Sequence, residues 1–360
     1  MLDRLFSPRS IAVIGASKTV GKVGYLTLSN LVQSGFQGPI VPVNSAGGEL
    51  LGLTVYKQLA DYPDAIDLVV IAVPAEMVPA AASEAVAKKA GAVVVVASGF
   101  KEAGSEGRAL EDELIAICRR GGVRLLGPNC LGVINTAIRM NASFSRRIPQ
   151  AGSMAIFSQS GALCTAMMDI ADERELGVSK AMSIGNKADI TEVDVLEALA
   201  EDEDTRVIVG YLEDISDGDR FVKAAEAASN RKPVVILKAG TTTAGSRAAA
   251  NHTGVLVGKD TAYGAAFKRA GICRADTFDA LFDSATALAL QPTPKGDRVL
   301  IITNSGGSGT ISADAVEKAG LNVATLGEEL ARQLRRALPS AAFIDNPIDM
   351  SAAAEPSHYA

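Results

Sequence analysis

The residue with the clearest chemical potential is His252, one of two histidines among 360 residues. It follows the run GTTTAGSRAAAN, in which small and hydroxylated residues form no periodic apolar face. A core histidine would lie among large apolar side chains, and the nearby sequence offers no cysteine or second histidine to complete a metal site. With a core position and a metal site both disfavoured, we expect this imidazole to act as a nucleophile, because a ring nitrogen can accept a chemical group and transfer it. We therefore predict that His252 is catalytic, that it lies in a loop and that it binds no metal; His358 is interpreted as an ordinary residue.

A nucleophilic histidine needs a partner that fixes its ring, and the stretch YLEDISDGDR offers one. Glu213 directly follows the apolar run VIVGYL, which places it at the end of a predicted strand. A carboxylate at that point can bond one ring nitrogen, fix the tautomer and leave the other nitrogen nucleophilic. Asp217 and Asp219 have a different expected role, as caps of the helix that follows.

Two Ser/Gly turns have the residue types that bind a phosphoryl group. The segments MAIFSQSGALCTAMMD and VLIITNSGGSGTISAD both predict an apolar strand, a turn and a helix. Backbone N–H groups at such a helix N-terminus favour an anion, assisted by the hydroxyls of Ser160 and Ser305. One turn alone is a weak signal, since strand-to-helix turns are often glycine-rich for steric reasons. The repetition indicates two related segments.

The elements that must position these residues alternate between strand and helix along the whole chain. Runs such as SIAVIGAS, PIVPVN, IDLVVIAVP and AVVVVASGF predict buried strands, and RLLGPNCLG adds another, which together indicate an α/β fold with a parallel, doubly wound sheet. Ligands of such sheets bind beyond the carboxyl ends of the strands. The residues at those ends in the first segment are Gly15, Ser17, Gly21, Lys22, Val23, Gly24, Asn44, Pro74, Ser98, Gly99, Phe100 and Asn129.

Composition excludes several function classes. Apolar residues make up 48% of the chain, tryptophan is absent and aromatic residues reach only 4%, so the cores are aliphatic, as in buried parallel sheets. No stretch approaches the roughly 18 to 20 apolar residues of a membrane span. The four cysteines form no C-x-x-C pair, which disfavours disulfides and zinc and favours the cytoplasm. A net charge of −6 argues against nucleic acid.

The first turn, VIGASKTVGKVG, suits a phosphate but departs from a dinucleotide site. The spacing G-x-G-x-x-G is absent, and Asn44 stands where an NAD site places an acid for the ribose. A phosphate-bearing nucleotide other than NAD fits better. The alternatives left open are an NAD-dependent oxidoreductase and glycines that serve only a tight turn.

Seven motifs in order now resemble one family. They are SIAVIGASKTVGKVG, GPNCLG, FSQSGAL, SIGNKADI, YLEDISDG, KAGTTTAGSRAAANHTG and TNSGGSG. They resemble the NDP-forming acyl-CoA synthetases of the ADP-forming acetate–CoA ligase type, distant relatives of the succinyl-CoA synthetase alpha subunit. The resemblance implies a Rossmann-like CoA-binding domain at 1–145, a flavodoxin-like domain with the phosphohistidine loop at 150–291, and the N-terminal part of a second flavodoxin-like domain at 297–360.

The resemblance also assigns roles to residues. It implies that His252 is transiently phosphorylated, that Glu213 orients or stabilises it, and that the end residues of the first sheet bind CoA. The phosphate-binding residues it implies are Ser158, Ser160, Gly161, Gly185, Asn186, Ser305, Gly306 and Gly307. One departure is Asn251, where serine is expected before the histidine.

The same resemblance implies partners. Its members join CoA and a small carboxylate, and an ATP-grasp domain or subunit binds ATP or ADP with Mg. That portion is missing from this sequence, so we expect a piece of a longer polypeptide or one subunit of a homo- or hetero-oligomer. The alternative function is a non-catalytic acyl-CoA-sensing module that regulates a protein acetyltransferase; relatives of that kind lack the histidine.

Overall fold

The computed structural model describes residues 2–253, 260–292 and 294–359. The chain divides into two compact units, one ending at Gln291 and the other beginning at Pro292. Nowhere in the described ranges is a helix both long and apolar enough to cross a membrane.

The first sheet is built from short β-branched runs that are buried on both faces. Its part of the chain contains, in order, α1 (Asp3–Phe6), β1 (Ile11–Ile14), α2 (Val23–Ser34), β2 (Ile40–Val43), β3 (Gly48–Leu50), β4 (Leu53–Val55), β5 (Leu68–Ile71), α3 (Val78–Ala87), β6 (Ala92–Val95), α4 (Ser105–Gly121) and β7 (Arg124–Leu126). The strands lie parallel in the order β2-β1-β5-β6-β7, and β3 and β4 form a separate antiparallel hairpin. The chain therefore switches direction across the sheet between β1 and β5.

The second sheet has the same order in its parallel part. Its elements are β8 (Gly132–Asn135), β9 (Met140–Ser143), β10 (Ala151–Ser158), α5 (Gly161–Glu173), β11 (Val178–Ser183), α6 (Glu192–Glu201), β12 (Val207–Leu212), α7 (Gly218–Ser229), β13 (Val234–Lys238), α8 (Thr243–Thr253), α9 (Asp260–Arg269), β14 (Cys273–Ala275) and α10 (Phe278–Leu290). The order is β14-β13-β12-β10-β11-β8-β9; the strands from β14 to β11 are parallel, and β8 pairs antiparallel with both β11 and β9. Its switch point lies between β10 and β12.

The two sheets share one aliphatic core. A single buried cluster contains Leu28 and Val94 beside the first sheet and Phe157 and Ile208 in the second. Asn30 links the two further, because its amide donates to backbone carbonyls beyond β9, including that of Ser145 at 2.7 Å. The predicted ranges 1–145 and 150–291 therefore lie in one compact unit, and the boundary between them remains a prediction.

Local sequence sets where the helices of the second sheet begin. The side chains of Ser160, Thr191, Asp217 and Thr277 accept backbone N–H bonds at the first turns of α5, α6, α7 and α10. The capping role predicted for Asp217 is thus confirmed, at 3.0 Å from the Arg220 nitrogen.

The structure corrects the loop predicted around His252. Residues Thr243–Thr253 form α8, whose last turn contains the backbone of His252, and the side chain of His252 lies outside the described part of the chain. The physical reason is the alanine-rich stretch from Ala248 onward, since alanine has the highest helix propensity. The stretch before these alanines contains three threonines and Gly245, which favour a helix less, so the sequence pattern did not indicate a helix.

The second unit contains β15 (Arg298–Val299), β16 (Ile302–Thr303), α11 (Gly306–Lys318), β17 (Asn322–Val323), α12 (Glu328–Ala337) and β18 (Ile348–Asp349). The pairs β15–β17 and β16–β18 are parallel. The predicted strand-turn-helix is present here as β16 and α11, which matches β10 and α5 in the second sheet.

Candidate functional site

The predicted ligand residues of the first sheet follow its strands at the carboxyl edge. Gly15 lies after β1 with a φ of +91°, and a Cβ there would meet the Ala72 oxygen at 2.4 Å. Gly24, in the first turn of α2, brings the helix so close to β1 that a Cβ would lie 2.0 Å from the Gly15 oxygen. These two glycines let the N-terminus of α2 approach the sheet, as a phosphate-binding turn requires.

Asn44 holds that turn in place. Its amide donates to the Ala16 oxygen at 2.8 Å, and its side-chain oxygen accepts from the Ala46 nitrogen at 2.9 Å. In the turn itself, the Ser17 hydroxyl accepts from the Thr19 nitrogen at 3.1 Å. Lys22, the residue before α2, is exposed, as are its neighbours Gly21 and Val23.

The predicted residues that follow β5 and β6 differ in how far their side chains are exposed. Pro74 and Ser98 are exposed, whereas the Phe100 side chain is fully buried in the core, which leaves only its backbone for a ligand. The backbone nitrogens of Gly99 and Phe100 donate to the Glu102 carboxylate at 2.6 and 3.1 Å. Glu102 therefore supports this turn, a role that the sequence analysis missed.

The switch point of the second sheet contains Glu213. This residue directly follows β12, is 6% exposed, and accepts from the Tyr211 hydroxyl at 3.4 Å. Burial, followed by the charge of Glu213, raises the pKa of Tyr211, so that phenol stays a donor. The sequence prediction of a carboxylate directed into this edge agrees with that position.

Gln159 joins the two strands at the switch point. It follows β10, and its side-chain oxygen accepts from the backbone nitrogens of Glu213 and Asp214 at 2.9 and 3.1 Å. Its amide nitrogen donates to the Asp214 carboxylate. Gln159 is 8% exposed and Asp214 is 3% exposed, so this connection is buried.

Two buried lysines neutralise the acids of this edge. Lys187 lies 3.0 Å from the Asp214 carboxylate and 3.2 Å from that of Glu192. Lys238, the last residue of β13, donates to the Glu213 backbone oxygen at 2.7 Å and lies 4.2 Å from the centre of the Tyr263 ring. Burial lowers the pKa of Lys238 to about 8.

Gly185 and Asn186 connect this edge with the first sheet. Gly185 has a φ of +53°, and a Cβ there would meet the Pro128 oxygen at 2.2 Å. The Asn186 amide donates to the carboxylates of Glu102 and Glu111 at 2.6 and 2.7 Å. The structure therefore places the Asn186 side chain between two acids, and its predicted contact with phosphate remains a prediction.

The two Ser/Gly turns have the same internal bonds. The Ser158 hydroxyl donates to the Ser160 oxygen at 2.6 Å and accepts from the Ser160 nitrogen at 3.1 Å. Thr303 makes the corresponding bonds with Ser305 at 3.2 and 3.1 Å. Both turns open directly into a helix, and Gly161, Gly306 and Gly307 occupy the first positions of α5 and α11.

Four supporting residues escaped the sequence analysis: Glu102, Gln159, Lys187 and Lys238. Gln159 and Lys187 lie inside motifs already singled out, SQSGAL and SIGNKADI, and Lys238 begins a third. Gln159 directly follows β10 and Lys238 is the last residue of β13, so a position at the end of a strand was the available signal for these two.

Family models match all three parts of the chain. Residues 9–136 match a CoA binding domain, residues 151–288 a succinyl-CoA ligase like flavodoxin domain, and residues 299–360 a ligase-CoA domain. The strands of the first sheet lie within the first of these matches, and the parallel strands β10 to β14 of the second sheet lie within the second.

Curated relatives and a solved structure agree with these matches. The alpha subunit of ADP-forming acetate–CoA ligase I from Pyrococcus furiosus is 42% identical over 99% of this chain and 78% of its own length. ADP-forming acetate–CoA ligase I from Archaeoglobus fulgidus is 44% identical over 97% of this chain, which spans 50% of that longer protein. Acetyl-coenzyme A synthetase 1 from Ca. Korarchaeum cryptofilum, solved with phosphate and ADP, is 39% identical with a TM-score of 0.95, over 98% of this chain and 76% of that one. The chain therefore belongs to the ADP-forming acyl-CoA synthetase family, and it is the CoA-ligase portion of such a ligase.

Proposed function

We propose that this chain catalyses the acyl-transfer half of an ADP-forming acid–CoA ligase, with His252 as the phosphoryl carrier. The whole reaction interconverts acyl-CoA, phosphate and ADP with a carboxylate, CoA and ATP. The observation that carries the proposal is the buried Glu213 carboxylate at the switch point between β10 and β12, beside the N-terminus of α5. That arrangement offers an acid to hold an imidazole and backbone N–H groups to face a phosphoryl group.

The proposed chemistry has two steps on this chain. A phosphate oxygen attacks the thioester carbonyl carbon, the carbon–sulfur bond breaks, and the CoA thiolate leaves and takes up a proton. A nitrogen of His252 then attacks the phosphorus of the acyl phosphate, the bond from phosphorus to the acyl oxygen breaks, and the carboxylate leaves. Glu213 stabilises the positive charge that the ring acquires, and the N-terminus of α5 at Ser160 and Gly161 stabilises the transferred oxygens.

The first sheet supports CoA binding at its carboxyl edge. Gly15 and Gly24 let the N-terminus of α2 pack closely against the sheet, where its N–H groups can bind a phosphate, and Lys22 supplies an exposed positive charge at that point. The turn at Gly99, supported by Glu102, lies at the same edge after β6. The thioester must then reach the switch point of the second sheet, which belongs to the same compact unit.

The proposal includes partners beyond this chain. An ATP-grasp domain or subunit would bind ADP or ATP with Mg and receive the phosphoryl group from His252. The name of the P. furiosus relative, an alpha subunit, supports a separate subunit, and the length of the A. fulgidus relative supports one continuous protein. The substrate class is a small carboxylate and its CoA thioester.

The test is transfer of labelled inorganic phosphate to the protein in the presence of each member of a panel of acyl-CoAs. We expect acid-labile, base-stable label on the unaltered chain, and the thioester that gives most label identifies the substrate class. His252→Ala should abolish the label, whereas His358→Ala should retain it, since the half-buried His358 ring accepts a local bond from the Glu355 backbone nitrogen at 2.8 Å. Glu213→Gln should reduce it by about 100-fold, because a neutral amide cannot stabilise the ring charge.

The outcome that contradicts the proposal is an unlabelled chain, or a label that survives His252→Ala. If CoA raises the melting temperature while no label forms even with an ATP-grasp partner and labelled ATP, the acyl-CoA-sensing function is supported instead. NAD serves as the control ligand and should leave the melting temperature unchanged.

A further inference from the structure

We propose that Gln159 is a positioning residue that fixes the Glu213 carboxylate for catalysis, an inference that rests on the function proposed above. Gln159 lies at the point where β10 and β12 stop pairing. Its backbone nitrogen donates to the Tyr211 oxygen at 3.0 Å, and its side-chain oxygen accepts from the backbone nitrogens of Glu213 and Asp214, the two residues that follow β12. Gln159 thus holds the Glu213 backbone nitrogen beyond the end of the ladder, while Lys238 donates to the Glu213 backbone oxygen.

A carboxamide is the group that these contacts require. The oxygen end of Gln159 accepts two backbone N–H bonds, from Glu213 and Asp214, while the nitrogen end donates to the Asp214 carboxylate. The two partners that donate and the one partner that accepts lie at opposite ends of the amide, so its orientation is defined. A carboxylate of the same size would keep the two accepted bonds but would place its second oxygen against Asp214.

Asp214 is itself a fixed acceptor. Lys187 donates to both the backbone oxygen and the carboxylate of Asp214 at 3.0 Å, and the Ser216 hydroxyl donates at 3.3 Å. Burial alone would raise the pKa of Asp214, but the charge of Lys187 and the bond from Gln159 hold it below its ordinary value. The amide of Gln159 is therefore oriented by a permanent negative charge.

The second unit offers an internal comparison. Its turn has the same hydroxyl bonds as the Ser158 turn, but the middle residue is Asn304, which is exposed. The turn conformation therefore does not depend on a buried glutamine. Burial of Gln159 against the end of β12 is therefore specific to the second sheet, where Glu213 follows that strand.

The experiment compares Gln159→Glu with Gln58→Glu in the label-transfer assay. Gln58 is an exposed glutamine whose amide also donates to an aspartate, Asp61, at 2.8 Å, so the control makes the same chemical change in water. We expect Gln159→Glu to lower the rate of histidine phosphorylation about 100-fold, the cost of slight misplacement of a catalytic group. The KM for acyl-CoA should stay within about twofold, because substrate binding is untouched.

The pH dependence separates positioning from a general loss of structure. The charged groups that face the new carboxylate are Asp214, Glu213, Lys187 and Lys238, and Glu192 lies behind Lys187. A protonated glutamate can donate to Asp214 as the amide did. When the pH is lowered from about 8 to about 6, the phosphorylation rate of Gln159→Glu should therefore rise relative to that of the unaltered chain. Gln159→Met, of similar length, should lose the rate at every pH, and CoA should still stabilise both variants.

Each result has a distinct meaning. Unaltered phosphorylation in Gln159→Glu or Gln159→Met overturns the inference while leaving the proposed function intact. Loss of CoA stabilisation together with the label also overturns it, since the residue would then maintain the whole fold. An unlabelled parent chain contradicts the proposed function itself.

Discussion

Replacement of Asn186 by aspartate tests whether the connection between the two sheets is as buried and as acidic as its contacts indicate. The Asn186 amide nitrogen is shared by the carboxylates of Glu102 and Glu111, and Asn186 and Glu111 are 8% and 4% exposed. The positive charge nearest this cluster is Lys101, 3.5 Å from Glu111. Asn186→Asp removes the donor and adds a third carboxylate of the same size.

The expected loss of stability is set by whichever of two outcomes costs less free energy: three charged carboxylates side by side, or the uptake of one proton by the cluster. Two additional carboxylate pairs at about 4 Å would cost roughly 4 kcal/mol each at an effective dielectric constant of about 20. Uptake of one proton by the cluster at pH 7 costs only about 4 kcal/mol, because the carboxyl pKa must rise by about three units. A protonated acid donates to one carboxylate and not to two, which loses about 1.5 to 3 kcal/mol more. We expect the free energy of unfolding to fall by roughly 5.5 to 7 kcal/mol at pH 7, the sum of these two costs.

The sign of the pH dependence is fixed by the same reasoning. Above about pH 4 the folded variant holds a proton that the unfolded chain releases, so its stability declines as pH rises. The penalty relative to the parent should therefore be about 2.7 kcal/mol smaller at pH 5 than at pH 7. Urea unfolding followed by circular dichroism at the two pH values measures both numbers.

Gln58→Glu is the control, since it adds a carboxylate beside the exposed Asp61. It should change stability by less than about 1 kcal/mol at either pH. A loss of less than about 1 kcal/mol in Asn186→Asp would refute the reasoning, because such a value is typical of solvent-screened pairs. A large loss that does not change with pH would refute the proton uptake.

Other substitutions test the glycine turns and the buried lysine. Gly24→Ala should lower the free energy of unfolding by about 1 to 3 kcal/mol or more, because its Cβ would lie 2.0 Å from the Gly15 oxygen. Gly161→Ala should leave stability within about 1 kcal/mol, since the nearest atom is 3.6 Å away, yet slow histidine phosphorylation, and urea unfolding with label transfer checks both. Lys238, with its pKa lowered from 10.5 to about 8, loses its proton earlier in the folded state than in the unfolded chain. Stability should therefore rise from pH 8 to about pH 10 by up to roughly 3 kcal/mol relative to Lys238→Met, and parallel urea curves across this range would contradict it.

The sequence predicted the strand ends well because they are encoded locally. Gly15, Asn44 and Glu213 each follow a short apolar run, and the structure places each at the carboxyl edge of its sheet. The alternation of strand and helix also predicted the parallel sheets, since crossover connections leave few other arrangements.

The supporting contacts could not be predicted, because their partners are far apart in the chain. Gln159 reaches a backbone nitrogen 54 residues away, and Asn186 reaches a carboxylate 84 residues away. These distances depend on the strand order, which a single sequence does not specify. The antiparallel pairing of β8 with β11 was missed for the same reason, since it joins residues more than 40 positions apart, and β9 then pairs with β8.

One local feature was missed for a different reason. Helix α8 was hidden by threonines and a glycine at its start, although the alanines after them favour a helix. The side chain of Phe100 is fully buried in the core, so its predicted CoA contact would be made by the backbone and remains a prediction.

The repeated turn has a consequence for how this scaffold can diversify. In both copies one hydroxyl, that of Ser158 or Thr303, bonds the backbone of the residue two positions on, and a threonine four residues into each helix bonds the first carbonyl, Thr165 to Gly161 and Thr310 to Gly306. None of these bonds uses the side chain of the middle residue, so that side chain can differ between the two turns while the bonds stay the same. A duplicated module of this kind can acquire separate tasks by single substitutions at that middle position, as the contrast between a buried Gln159 and an exposed Asn304 illustrates.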